Sequence, residues 1–85
     1  MKEFKYVITD PEGIHARPAG LLVKTTAGFQ SAITMENNGR KADMKRIFAV
    51  MGMGIKQGME ITVTAEGEDE AEAIAAVETF LKENL

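Results

Sequence analysis

The sequence predicts an α+β fold in which helices cover one face of an antiparallel sheet and the other face is open to water. Three observations lead to this prediction. Three stretches alternate between apolar and polar residues, which is typical of strands with one buried face. A tight-turn signal at residues 38–39 adds a fourth, short strand. The intervening stretches carry apolar residues at helical spacing, so the elements occur in the order strand, helix, two strands, short helix, strand, helix.

The first strand and the first helix are separated by a turn. Residues 4–9 alternate between apolar and polar side chains and predict the strand, which residues 10–13 end. Pro18 fixes its own backbone angle and is tolerated in a helix chiefly in the first turn, so a helix should begin close to it. The residue before a proline is biased away from helical geometry, which makes Arg17 the predicted cap. Gly28 is placed to end this helix.

A hairpin and a short helix occupy the middle of the chain. Residues 32–36 form the outgoing strand, and the pair at 38–39, Asn followed by Gly, predicts a tight turn before the returning strand at 40–42. Apolar residues between 44 and 51 lie at spacings of three, four and seven, which predicts a brief amphipathic helix. Asp43 is its predicted cap.

The last strand and the last helix complete the predicted domain. Residues 60–66 alternate, with Ile61, Val63 and Ala65 on the buried face. Asp69 is placed to cap a helix whose first turn is acidic, a favourable charge at that end. The predicted core stripe of this helix comprises Ala73, Ile74, Val77, Phe80 and Leu81. No repeat or linker divides residues 1–85, which predicts a single domain.

Composition excludes several classes of function. The chain has no cysteine and one histidine, so it lacks the residues for a disulfide or a usual zinc site. It has no signal-peptide pattern, and no segment approaches the roughly 20 apolar residues that cross a bilayer. We therefore expect a soluble cytoplasmic protein without direct membrane insertion. A sequence pI near 5.1 and the lack of an RNA-binding signature disfavour nucleic acid as a partner.

Charge is distributed unevenly along the chain. Residues 1–59 carry nine basic and five acidic side chains, a net charge of +4. Residues 60–85 carry one basic and eight acidic side chains, a net charge of −7. This division indicates that an acidic partner would bind the first part of the chain, whereas the acidic last part is adequately explained as a solvated helix.

The candidate chemistry lies in residues 13–18, Gly-Ile-His-Ala-Arg-Pro, where a glycine turn brings the only histidine to a helix start. Unpaired amides at a helix start bind phosphate, and the Arg17 guanidinium adds donors suited to phosphate oxygens. A neutral imidazole at His15 has a free lone pair with which it can accept a phosphoryl group covalently. A lone histidine at a helix start is, however, more often a solvated capping residue, and on spacing alone that alternative stays open.

The residue string itself resembles a known motif. Residues 13–19 are similar to the phosphorylation site of the histidine-containing phosphocarrier family, HPr, of the bacterial sugar phosphotransferase system. The resemblance covers nearly the whole chain, including the turn at 37–39, residues 45–55, residues 58–63 and the acidic stretch at 66–70. It implies an HPr-like open-faced two-layer sandwich, with four antiparallel strands in the order 1-4-2-3 and three helices on one face.

The resemblance also implies a mechanism. His15 would accept a phosphoryl group on Nδ1 from phosphorylated enzyme I and pass it to sugar-specific IIA domains. Arg17 and the backbone amides of Ala16 and Arg17 would bind the phosphate oxygens, with the carboxylate of Leu85 nearby. Such a protein is a stoichiometric carrier and not an enzyme. It needs no metal and no organic cofactor, and we expect it to be a monomer.

The short helix is the predicted docking element. By the same resemblance Ile47, Phe48 and Met51 would contact partner proteins, while Met44 and Val50 would belong to the core. Methionine suits a surface that fits several partners because its side chain is flexible and polarizable. The open alternative is that all five residues pack inward. Cations that would face acidic rims on the partners are Lys24, Lys45 and Arg46.

One departure from the family pattern concerns regulation. Many Gram-positive members have, at the position of Arg46, a serine that a dedicated kinase phosphorylates to signal carbon status. Arginine has no hydroxyl, so we expect this regulation to be absent here. Two alternative functions also stay open: a regulatory protein that binds transcription factors or metabolic enzymes, and a carrier in a nitrogen-related phosphorelay.

Overall fold

The computed structural model describes all 85 residues, and its elements occur in the predicted order. The strands are β1 (Lys2–Val7), β2 (Ala32–Asn37), β3 (Arg40–Asp43) and β4 (Glu60–Glu66). The helices are α1 (Ala16–Thr26), α2 (Ile47–Gly52) and α3 (Glu70–Asn84). None of these helices is both long enough and apolar enough to cross a membrane.

The four strands form one antiparallel sheet in the spatial order β1-β4-β2-β3, which confirms the order expected from the resemblance. One row of paired residues crosses all four strands and contains Lys5, Thr62, Glu36 and Lys41. These side chains are polar because they lie on the face that no helix covers. The turn between β2 and β3 has positive φ at Asn38 (51°) and Gly39 (81°), the conformation that a two-residue hairpin requires.

The core lies between the other face of the sheet and the helices. The fully buried sheet residues include Ile33, Met35, Ile61, Val63 and Ala65. The helices contribute Ala19, Leu22, Val50, Ala73, Val77 and Leu81, all completely buried. Ile74 and Phe80 of the predicted α3 stripe are half-buried at its edge. The alternation and the helical spacings therefore predicted the buried faces correctly.

β1 and α1 begin and end at residues other than those predicted. β1 ends at Val7 because the amides of Thr9 and Asp10 leave the sheet and donate to the Leu85 carbonyl oxygen at 2.7 and 3.0 Å. The cap of α1 is His15, not Arg17, and Arg17 lies inside the first turn. Proline is tolerated here because the first-turn amides of a helix have no intrahelical acceptor in any case.

The predicted caps at Gly28 and Asp43 are wrong. α1 ends one residue earlier, at an Ala27 cap with right-handed helical geometry, and Gly28 does not have a positive φ. The Asp43 carboxylate accepts a hydrogen bond from the Lys45 amide at 2.9 Å, so it closes a local turn before the helix. The cap of α2 is Arg46, three residues further along the chain.

The cap of α3 is Asp69 as predicted, but its carboxylate does not bond to the helix. It accepts hydrogen bonds from the Gln30 amide at 2.8 Å, the Ser31 amide at 2.9 Å and the Ser31 hydroxyl. These bonds, the Ser31 hydroxyl foremost, lower the pKa of Asp69 below its usual range. The side chain thus ties the start of α3 to the segment that leads into β2.

Candidate functional site

A rigid turn presents His15 at the start of α1. The Asp10 side chain accepts the Glu12 amide at 2.8 Å, and the Asp10 carbonyl accepts the Gly13 amide at 2.9 Å. Gly13 has a φ of 66°, and a Cβ there would lie 2.2 Å from the carbonyl oxygen of Ile55. Only glycine fits this position, because any side chain would meet the neighbouring backbone in an unfavourable conformation.

The backbone on both sides of His15 is also fixed. Ile14 is buried, and its amide donates to the Ile55 carbonyl at 3.0 Å. The His15 amide donates to the Gly13 carbonyl at 3.2 Å, and the His15 carbonyl accepts the Ala19 amide at 3.0 Å. The ring therefore extends from a backbone that the loop after α2 supports directly.

The amides next to the His15 ring are free. His15 has extended backbone geometry as the cap of α1, and its side chain makes no capping hydrogen bond. The amides of Ala16 and Arg17 have no acceptor, and Pro18 has no amide hydrogen. The His15 side chain is 36% exposed, so its ring is open to water next to these donors. This arrangement can bind an anion at the ring.

His15 and Arg17 line one open concavity of about 240 Å³. Arg17 is exposed and forms no ion pair, so its guanidinium has no competing carboxylate. The other lining residues are Asp10, Pro18, Leu21 and Asn84. The structure thus brings together the histidine, the arginine and the two free amides that the sequence singled out.

Larger concavities exist elsewhere, but they lack this chemistry. The largest, about 620 Å³, lies on the open face of the sheet and has neither a histidine nor an arginine in its lining. No group of three or more His, Asp or Glu side chains is placed to hold a metal ion. We therefore locate the candidate site by its reactive and anion-binding groups and not by volume.

Leu85 lies close to this site. The Leu85 carbonyl oxygen accepts the amides of Thr9 and Asp10, and also the Thr9 hydroxyl at 3.0 Å. Leu85 is 4% exposed and is not part of the concavity lining. Asp10 connects the two places, because its amide donates to Leu85 and the residue also lines the concavity.

Besides Asp10, three residues at the site were not identified from the sequence. Glu12 has its Oε2 3.8 Å from the Nδ1 atom of His15. Leu21, which is 47% exposed, and Asn84 line the same concavity. The three-residue spacing of Glu12 and His15 was the only available signal for Glu12, and it becomes informative only once the turn geometry is known. Asn84 is distant in sequence and gave no signal.

The predicted docking residues differ in exposure. Phe48 is 84% exposed and Met51 is 39% exposed, while Met44 and Val50 are completely buried. Ile47 is half-buried next to α1, where a Cβ on Gly20 would lie 3.8 Å from its Cδ1. The alternative in which all five residues pack inward is therefore wrong, since α2 separates a buried face from an exposed one.

The three predicted docking cations also differ. Lys24 is exposed in the last turn of α1. The Arg46 side chain is 80% exposed, with its Nε 3.8 Å from an Asp43 carboxylate oxygen. The Lys45 ammonium donates to the Phe29 carbonyl at 2.7 Å and is partly buried. This contact gives Lys45 a structural role that the sequence did not indicate.

Comparison with known families agrees with this site. The family model described as the PTS HPr component phosphorylation site matches residues 2–83. A match of this extent covers the His15 turn and every element of the fold except the last residue of α3.

Several solved structures are similar to the chain. One is the histidine-containing phosphocarrier protein of Mycoplasma, with 41% identity, a TM-score of 0.94, and coverage of 96% of this chain and 93% of that chain. Another is an HPr from Thermoanaerobacter tengcongensis, with 40% identity, a TM-score of 0.93, and coverage of 96% and 92%. A third is Bacillus subtilis Crh, described as a catabolite repression protein that forms a domain-swapped dimer, with 33% identity, a TM-score of 0.79, and coverage of 100% and 98%.

Proposed function

Because the chain belongs to the HPr family of phosphocarrier proteins, we propose that it carries a phosphoryl group on His15 from phosphorylated enzyme I to the IIA domains of sugar permeases. The observation that carries this proposal is the His15 ring, open to water beside Arg17 and two amides without acceptors. These groups are the nucleophile and the anion donors that the transfer requires.

The chemical step is a displacement at phosphorus. The lone pair of His15 Nδ1 forms a bond to phosphorus while the bond between phosphorus and the donor atom of enzyme I breaks. The electron pair of the broken bond stays on the donor, and the proton on Nε2 of His15 stays in place. Transfer to a IIA domain reverses the roles, so that His15 leaves as a neutral imidazole.

The protein contributes position and charge complementarity to this step. The amides of Ala16 and Arg17 and the Arg17 guanidinium would donate hydrogen bonds to the phosphoryl oxygens. The helix end alone contributes about 0.3–1 kcal/mol to an exposed anion. Such a weak contribution suits a group that must be passed on. The protein would act as a stoichiometric carrier and not as an enzyme. Each molecule would hold the transferred phosphoryl group itself, and it would need one partner to receive that group and another to give it up.

Partner docking would use the exposed face of α2. Phe48 and Met51 offer apolar contact, and Lys24 and Arg46 offer positive charge around it. A small interface with apolar anchors and a charged rim is suited to brief encounters.

We further propose that the protein works in the cytoplasm as a monomer. Size-exclusion chromatography over a range of concentrations tests the monomer, and a stable dimer would contradict it.

The decisive experiment is incubation with enzyme I and phosphoenolpyruvate, followed by intact-mass measurement before and after mild acid. We expect an added phosphate that is acid-labile and that His15→Ala abolishes. Arg17→Gln should still be phosphorylated, because the nucleophile remains, but at a lower rate, because one anion donor is lost. Phosphate uptake by His15→Ala would overturn the assignment.

A regulatory role is the second candidate, and it is supported by the similarity to Crh. The two functions are distinguished by offering the phosphorylated protein to a panel of IIA domains. Labelling of any IIA domain supports the carrier function, while failure with all of them favours regulation. Treatment with the serine kinase and ATP should leave the mass unchanged, because Arg46 has no hydroxyl to phosphorylate.

A further inference from the structure

We propose that Glu12 lowers the stability of the phosphorylated form of His15 and so raises the tendency of the phosphoryl group to be transferred. The inference rests on the proposed function and deepens it by naming a side chain that tunes the same site. Its basis is the position of the Glu12 carboxylate, whose Oε2 lies 3.8 Å from the Nδ1 atom of His15.

The distance leaves the nucleophile free. A separation of 3.8 Å between Oε2 and Nδ1 is too long for a hydrogen bond, so the carboxylate does not hold a proton on the nitrogen that would attack phosphorus. The carboxylate is nevertheless the charged side-chain group paired with that nitrogen. It takes up and gives no proton in the transfer and acts only through its charge.

The turn sets this placement. The Glu12 amide is held by the Asp10 side chain, and the Gly13 amide is held by the Asp10 carbonyl. The His15 amide is bonded to Gly13, and Gly13 itself is fixed against Ile55. The backbone positions of Glu12 and His15 are therefore determined relative to each other, and a side chain at position 12 projects from a fixed point beside the ring.

The charge of Glu12 is not compensated by the protein. Its carboxylate has no lysine or arginine partner, and Arg17 forms no ion pair with it. Transfer of a phosphoryl group, formally PO3⁻, to a neutral ring that keeps its Nε2 proton adds one net negative charge, carried by the oxygens on the Nδ1 side that faces this carboxylate. Like charges at such a distance repel, whereas a neutral imidazole meets no such repulsion. Glu12 therefore disfavours the phosphorylated state relative to the free state.

The size of the effect is limited by water. The Glu12 side chain is 74% exposed, so solvent and salt screen its charge. Surface charge pairs of this kind change an equilibrium by about two- to fivefold at low ionic strength. The Glu12→Gln variant should therefore hold phosphate about two- to fivefold more strongly than the wild type.

A direct competition measures this ratio. Equal amounts of ¹⁵N-labelled wild-type protein and unlabelled Glu12→Gln exchange phosphate through a catalytic amount of enzyme I at about pH 8. Intact-mass spectrometry then gives the phosphorylated fraction of each. At low salt we expect a larger phosphorylated fraction of Glu12→Gln than of the wild type. At about 0.5 M salt the two fractions should become nearly equal.

Two control variants separate charge from structure. Glu12→Asp keeps a carboxylate on the same turn and should partition nearer to the wild type than Glu12→Gln does. Glu72→Gln removes one charge from the first turn of α3 and should partition equally with the wild type. An equal partition of Glu12→Gln at low salt, or an equal shift in Glu12→Asp and Glu12→Gln, overturns the inference. Wild-type protein that takes no phosphate at all overturns the proposed function, and the inference with it.

Discussion

At the scale of single residues, the candidate site depends on the turn at Gly13, which holds His15 at the start of α1. His15 and Arg17 were identified because their residue types fit phosphate chemistry next to a proline. Their exact places in the helix were not predictable, since any of the first-turn amides can do without an acceptor and a proline fits equally well at several of those positions. The contact between Gly13 and Ile55 was equally invisible, because it joins residues 42 positions apart in the sequence.

Gly13→Ala tests that contact. The added Cβ would lie 2.2 Å from the Ile55 carbonyl oxygen, in a backbone conformation with positive φ, so the turn must shift. We expect a loss of about 1–3 kcal/mol in the free energy of unfolding, measured by urea denaturation, together with slower phosphorylation of His15.

Gly39→Ala is the matched control for Gly13→Ala. Its φ is also positive, at 81°, but no atom lies within 4 Å of the added Cβ. It should therefore lose stability through backbone strain alone and phosphorylate at the wild-type rate. Equal phosphorylation rates in both variants would contradict a role for the Gly13 turn in presenting the histidine.

At the scale of elements, the buried faces were predictable and the caps were not. Alternation in β4 correctly identified Ile61 and Val63 as core, because the two-residue period of a strand follows from its geometry. Aspartate gave one right and one wrong cap: Asp69 is the cap of α3, whereas Asp43 closes a turn with the amide two residues further along the chain. The Asp43 carboxylate accepts an amide two residues away, whereas the Asp69 carboxylate accepts the amides of Gln30 and Ser31 on a distant segment. The choice between these uses depends on tertiary packing that the sequence does not display.

Asp69 should make stability depend on pH in a defined direction. Its pKa is lower in the folded protein than in the unfolded chain, because the Ser31 hydroxyl and the Gln30 and Ser31 amides donate to the charged form. The unfolded chain therefore binds the proton first as the pH falls. The stabilisation is complete above the ordinary aspartate pKa of about 3.8 and is lost as the pH drops through the lower folded pKa.

Asp69→Asn should accordingly be less stable than the wild type at neutral pH, and the difference should narrow below pH 3.8. Urea denaturation across pH measures this difference. Glu72→Gln, which removes a nearby charge from the same helix start, should not reproduce the pH dependence. A difference that stays constant with pH would indicate that the Asp69→Asn variant is destabilised through packing and not through the lost charge.

The exposed face of α2 gives a second test at this scale. Phe48→Ala removes an aromatic ring that is 84% exposed, so the free energy of unfolding should change by no more than about 0.5 kcal/mol. If the ring is a docking anchor, its loss should cost at least about 1 kcal/mol of binding, seen as a several-fold lower kcat/KM for phosphoryl transfer from enzyme I. Unchanged transfer kinetics in a stable variant would remove Phe48 from the docking surface.

At the scale of the whole molecule, the uneven charge along the sequence has a structural counterpart. The exposed cations Lys24 and Arg46 lie on α1 and near α2, while β4 and α3 carry the acidic residues of the last part of the chain. The sequence predicted this division. It did not distinguish cations that are exposed to solvent from a cation whose side chain is bonded to the backbone of the fold. Lys45 belongs to the second kind, because its ammonium is bonded to Phe29.

A pair of lysine variants tests this distinction. Lys24→Gln should leave the stability within about 0.5 kcal/mol of the wild type and slow phosphoryl transfer at low salt about two- to fivefold. Lys45→Met keeps the apolar stem but loses the donor to the Phe29 carbonyl, so it should destabilise the fold by about 1–2 kcal/mol. Urea denaturation and transfer kinetics on both variants provide the comparison, and a fully stable Lys45→Met would contradict the structural role.

The uncovered face of the sheet is a place where a label can be attached. Thr64 is part of a row with Glu3, Thr34 and Asp43 on the side away from the helices. A cysteine introduced there would be the sole thiol of the chain, since the natural sequence has none. A dye or a surface tether attached at that thiol would leave the histidine turn and α2 facing the solution, and single molecules could be watched as they exchange phosphate.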